Sequence, residues 1–428
     1  MTTVLGRPRM ADPLSALDLA YGIPLGSDPA ASRLPRSGWP TPRAALEEIL
    51  ATALRRDPCL ISFSGGRDSS ALLALATFVA RREGLPLPVP VTLVFPGVEV
   101  ADESRWQQAV LTHLRLSDWQ RVDVGDELDA VGPIAAAVLR RHGLVWPFNT
   151  HFHEPLIALA AGGSLVTGFG GDELGRSAES SRAERVVMRR QAPRPVDALV
   201  VGLALSPRAV RAAVHRRRAV GLAEELPWLT PAGIDAVRAA TARSQAAIPF
   251  GWGRVLRSSF STQRYFTVCE RSFALLGSAH DVVVAHPFVA PTLLGALAAA
   301  GGVAGVRSRA ELLRLLCGDV LPNAIVERST KGSFTDPLWT ETARDFARGW
   351  SGGGIDAELV DLDRLQEHWL TPDRNLLSTP LLQAAWLHDD AVEARSGGRD
   401  EPLNLSEQGD HGFVEAVPVT WPGELDHR

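Results

Sequence analysis

The segment Leu60-Ile61-Ser62-Phe63-Ser64-Gly65-Gly66-Arg67-Asp68-Ser69-Ser70 carries an apolar run into two glycines, an aspartate and two serines, then into a stretch whose apolar residues recur at helical spacing. A strand that turns this sharply into a helix leaves the helix's first N–H groups without acceptors, and the positive end of its dipole faces the same opening. The turn therefore has the make-up of an anion site. Gly65 and Gly66 let the backbone approach a ligand because they lack Cβ, and Ser64, Ser69 and Ser70 offer hydroxyl donors. Asp68 belongs among phosphates only if a cation with a preference for oxygen, Mg²⁺ above all, stands between them. A glycine-rich turn that binds nothing is the alternative, and it leaves the aspartate and serines without a role.

The rest of the chain supports a sheet around this turn. Between Leu60 and Thr167, β-rich runs near 60–63, 91–95, 120–124 and 164–167 alternate with helical patterns near 68–83, 102–115 and 126–142. Such alternation predicts an α/β fold, a parallel sheet with helices on both faces. Ligands of such sheets bind beyond the carboxyl ends of the strands, where Ser64 and the run Gly168 to Asp172 both fall. Upstream, Thr41-Pro42 supplies an N-cap and a first-turn proline, followed by Leu46, Ile49, Leu50, Ala53 and Leu54 at amphipathic helical spacing. From Glu173 to about Asp390 the pattern is mostly helical. Residues 1–40 read as an irregular arm with a short helix around Pro13 to Ala20, residues 41–390 as the catalytic domain, and 391–428 as an acid-rich, poorly packed tail.

Composition narrows the function. A chain of 428 residues with 45% hydrophobic and 22% charged residues is ordinary for a globular protein, and length alone suggests two to three domains. The net charge of −5 lacks the basic balance of a nucleic-acid binder. An arginine-rich stretch from Arg182 to Arg218 reads as a solvated helix face, the alternative being an anionic partner. Cys59, Cys269 and Cys317 are scattered without metal spacing, which suits buried small hydrophobes. No run of 18 apolar residues and no signal-peptide pattern occurs, so a cytoplasmic location with no membrane partner is expected. Of 44 basic residues 43 are arginine; the single lysine is Lys331. Arginine fills most solvated roles but not one that needs a compact, mobile ammonium, which makes Lys331 a candidate catalytic cation.

The first turn resembles the S-G-G-x-D-S loop of PP-loop ATP pyrophosphatases, and it differs from the G-x-x-x-x-G-K-[ST] loop of enzymes that cleave between the β- and γ-phosphates. The run Leu321-Pro322-Asn323-Ala324-Ile325-Val326-Glu327-Arg328-Ser329-Thr330-Lys331-Gly332-Ser333-Phe334 resembles the L-P-x-x-I-x-x-R-x-K-x-x-F stretch of asparagine synthetase-type domains, with one extra residue before the lysine. Between them, Val91 to Pro96 resembles that family's second strand, Asp102-Glu103-Ser104 its D-E helix, and Val166-Thr167-Gly168-Phe169-Gly170-Gly171-Asp172-Glu173-Leu174 its G-x-G-x-D-E loop.

The resemblance implies a sheet of the adenine-nucleotide α-hydrolase-like type, ATP and Mg²⁺ as cofactors, and an ATP-dependent amide-bond reaction through an acyl-adenylate, with AMP and pyrophosphate released. It implies further that Asp68 and Asp172 share the metal, that the backbone at Val94 meets adenine, that Gly168, Gly170 and Gly171 line the second phosphate loop, and that Lys331 stabilises the adenylation transition state. Asp102 and Glu103 read better as helix N-terminal acids that complement the dipole. The family's L-E-x-R-x-P-F-L-D segment resembles Val282 to Ala290, with Val283 at the glutamate position, so the base is sought among Glu270, Asp281, His286 and Tyr265.

Position 2 is Thr rather than the catalytic Cys of glutamine-dependent members, and about 55 residues precede the first loop, so no glutaminase is expected within the sequence. That absence points to a natural-product or peptide substrate: the expected partners are a small-molecule or peptide carboxylate and an amine, with a separate glutaminase or a precursor peptide as possible companions. Asparagine synthesis from a partner's ammonia, a tRNA-modifying PP-loop enzyme and a non-catalytic relic are the other readings.

Overall fold

The computed structural model describes residues 14–31, 34, 41–98, 102–175, 180–188, 192–219, 221–306, 308–328 and 338–396. Its centre is a five-stranded, all-parallel sheet in the order β3-β2-β1-β4-β5, made of β1 (Cys59–Ser62), β2 (Val89–Val94), β3 (Gln120–Asp123), β4 (Ser164–Val166) and β5 (Val283–Ala285). The chain winds outward from β1 through β2 to β3, then returns to lay β4 on the other side of β1, with Leu60 opposite Val89 on one flank and Leu165 on the other. That reversal is a topological switch point, and it opens a crevice at the carboxyl ends of β1 and β4.

Alternation along the strands divides the core in two. Leu60, Val91, Leu93 and Leu165 join one apolar cluster with Trp228, Trp339 and Trp369; Cys59, Ile61, Phe63 and Val166 join the other with Leu46, Leu50, Leu72 and Leu75. Successive side chains of a strand point to opposite faces, so a central strand of a doubly covered sheet is apolar throughout. On the second face lie α2 (Pro42–Leu54), whose Thr41 cap accepts from the Ala44 N–H at 3.1 Å, and α3 (Arg67–Glu83).

Four expectations shift. The helix sought over 126–142 is a single 3₁₀ turn, Asp126–Leu128, followed by a separate helix from Pro133 to His142. Proline has no N–H to give a helix interior but suits its first turn, and the buried Asp129 ends the turn by accepting from Val131, Thr340 and Ala343 N–H groups. The strand β5 was not foreseen, since three residues are too few to show a period. The short N-terminal helix, α1 (Ala16–Tyr21), is part of the body: Asp18 pairs with Arg264 at 2.8 Å and the Ala20 carbonyl accepts from Trp228 Nε1. At the other end, the helix Thr379–Ser396 continues beyond residue 390. The arginine-rich helix Arg208–Arg218 has no buried residue, and the three cysteines are buried and unpaired. Among the described residues no helix is long and apolar enough to cross a membrane.

Candidate active site

The loops that follow β1 and β4 lie side by side at the switch point. In the first, Gly65 has φ +81°, and a Cβ there would stand 2.8 Å from Gln107 Cγ, so a side chain meets both strain and a neighbour. Gln107 Nε2 donates to the Ser64 carbonyl at 3.2 Å, Ser64 Oγ accepts from the Gly66 N–H, and Ser69 Oγ donates to the Gly66 carbonyl. Ser64 and Ser69 thus brace the loop. Ser70 is wholly buried, its hydroxyl without a protein hydrogen-bond partner and its N–H bonded to the Gly66 carbonyl.

Asp68, in the first turn of α3, leans across to the second loop. A Cβ on Gly168 would lie 3.4 Å from the Asp68 Cβ, and one on Gly171 only 2.4 Å from its carboxyl carbon. Gly171 is therefore the seat of that carboxylate. Gly170 has φ +85°, with Val289 filling the space a side chain would need. Asp172 lies in the first turn of the short helix Gly171–Gly175.

Both aspartates meet one cation. Arg309, first residue of the helix Arg309–Cys317, contacts Asp68 through Nη2 and through Nε at 3.2 Å, and Asp172 through Nη1. Two carboxylates within the span of a guanidinium fit a shared Mg²⁺, which takes one or two carboxylates and completes its shell with phosphate oxygens and water. The described residues hold no group of three or more His, Cys, Asp or Glu that would suit a metal.

Arg328 pins the first loop from outside. Its Nη1 donates to the Gly65 carbonyl at 2.9 Å, its guanidinium lies 4.7 Å from the Trp106 ring centroid, and it pairs with Glu103. Glu103 is thus half of a buried ion pair rather than a plain dipole acid; Asp102 keeps the simpler role, accepting from the Ser104 N–H. Lys331 lies outside the described residues, as do Ser329 and Thr330. Side chains of Glu103 and Arg328 are 8% and 3% exposed, and removing one partner of such a pair strands the other charge. Glu103→Ala should therefore cost about 3–5 kcal/mol of stability. A urea midpoint equal to wild type would refute it.

Val94 ends β2 beside the crevice, with its carbonyl accepting from the Val124 N–H at 2.9 Å, so that oxygen is already engaged. The four candidate bases separate. Asp281 sits before β5, at the amino edge of the sheet with Arg56, so the structure removes it from the site. Glu270 lines a cavity of about 370 Å³ with Asp28, Arg271 and Phe266, and burial raises its carboxyl pKa. His286 follows β5 with Nδ1 bonded to Thr167 Oγ1 at 2.6 Å, but burial drives it down to about 3, too weak a base for neutral pH. Tyr265 donates to Glu173 Oε1 at 3.2 Å, next to Asp172, and its ring lies 5.7 Å from Phe169 of the second loop.

A family model described as asparagine synthase matches residues 42–400. The chain belongs to the asparagine synthase family. No curated protein matches it. The family is one of ATP-using ligases, and the sheet is of the α/β nucleotide-hydrolase-like type that the sequence implied. Three features of this member escaped the sequence: Arg309, the Glu103–Arg328 pair and the Tyr265–Glu173 contact. Each joins segments far apart in the chain. Only Arg309 left a local sign, a cation at the first position of a helix, where the dipole disfavours it.

Proposed function

We propose that the protein is an AMP-forming carboxylate–amine ligase: a carboxylate attacks the α-phosphorus of ATP, pyrophosphate leaves, and an amine then displaces AMP from the acyl-adenylate to form an amide. The observation that carries this reading is the convergence of Asp68 and Asp172 beside the N-terminus of α3. The first-turn N–H groups of that helix would receive phosphate oxygens, and Gly65, Gly66, Gly168, Gly170 and Gly171 would let the chain pass close to them. Mg²⁺, held by Asp68 and Asp172, would supply neutralising charge for the pyrophosphate. Lys331 would meet the charge that builds on the α-phosphoryl group, and Tyr265 with Glu173 is the pair best placed to take a proton from the amine.

The substrates are a small-molecule or peptide carboxylate and an amine, the latter free ammonia if a separate glutaminase supplies it, and the setting is cytoplasmic. Chromatography of the spent nucleotide tests the reading. AMP and pyrophosphate are expected; release of ADP with phosphate would remove the α-phosphorus from the mechanism.

A further inference from the structure

Arg309 occupies the position where a metal shared by Asp68 and Asp172 would stand. Its stem is fitted to that place: a Cβ on Gly175 would lie 2.7 Å from Arg309 Cγ, and the side chain is only 17% exposed. It begins its helix, capped by Ser308, where the dipole favours an anion and opposes a cation. The two carboxylates are what make the position tolerable. A divalent ion added to the same carboxylates would set three positive charges against two negative ones, with Glu173 the further anion that faces Arg309. A triphosphate changes the balance, because its oxygens offer the guanidinium a bidentate partner and the metal additional ligands.

From this we propose that Arg309 sets the order of binding. It holds Asp68 and Asp172 while the phosphate cradle is free, and the incoming triphosphate draws it away, so the cation enters with the nucleotide and not ahead of it. This rests on Asp68 and Asp172 being the metal ligands. Arg309 is on this account a positioning residue, and its effect is read from metal affinity rather than turnover.

The probe is Mn²⁺, an oxygen-seeking ion whose free and bound forms are distinguished by electron paramagnetic resonance. Without nucleotide, Arg309→Gln should bind Mn²⁺ about tenfold or more tightly than wild type, in the usual range of coupling between sites. Arg309→Lys keeps a charge but not the fork, and should fall between the two. If whichever of these variants folds binds Mn²⁺ no more tightly than wild type, the proposal is overturned. The gain should vanish when Asp172→Asn is added to Arg309→Gln; a gain that persists there also overturns it. The metal assignment fails separately if Asp68→Asn and Asp172→Asn each bind Mn²⁺ as wild type does in the presence of α,β-methylene-ATP.

Discussion

Asp68→Asn and Asp172→Asn should each abolish Mg²⁺-dependent turnover while the fold remains. Both carboxylates already converge on a single guanidinium, and each asparagine replaces a charged oxygen ligand by a neutral one at a hard cation. Neither change alters volume, but each leaves Arg309 with one carboxylate fewer, so the melting temperature should fall somewhat while circular dichroism still reports the native fold. Removing one preorganised charge-stabilising group typically costs on the order of 10²–10³ in kcat, and loss of a metal ligand should exceed that. Near-normal activity in either variant, assayed by pyrophosphate release at saturating Mg²⁺, would take that residue out of the site.

The second large effect belongs to the only lysine. If Lys331 meets charge that develops in the transition state, Lys331→Ala should lower kcat by on the order of 10²–10³. Lys331→Arg is the sharper comparison, because it preserves the charge and changes only shape and reach. A chain that carries arginine at 43 positions would accept one more wherever the role is solvation. A catalytic ammonium would not be replaced so easily. Arg328, three residues before the lysine, is itself anchored to the Gly65 carbonyl of the first loop. Full activity in Lys331→Arg would return the lysine to a surface role.

What could be read from the sequence was local. Strands β1 to β4 and the helices beginning at Pro42 and Arg67 follow from short-range period, caps and turn residues, and the glycine-flanked aspartates stand out because turn chemistry is written in adjacent residues. The helix at Pro133 was begun too early because the apolar pattern runs through a turn that proline and Asp129 interrupt. β5 is too short to have a period. Arg309 with Asp68 and Asp172, Arg328 with Glu103, and Tyr265 with Glu173 are made by folding alone, since no pattern in one segment encodes the position of another. The candidate bases show the same limit from the other side: Asp281 and Tyr265 are close neighbours in sequence, yet the helix between them carries one to the amino edge of the sheet and leaves the other at the crevice.

The most direct measurement follows an oxygen atom. With a turned-over carboxylate substrate labelled with ¹⁸O in both oxygens, attack on the α-phosphorus and displacement by the amine must leave one ¹⁸O in the phosphoryl group of AMP and the other in the amide. Mass spectrometry of the nucleotide should find AMP heavier by that single label, with pyrophosphate unlabelled. Label appearing in inorganic phosphate alongside ADP would mean activation at the γ-phosphorus and would contradict the account at its centre.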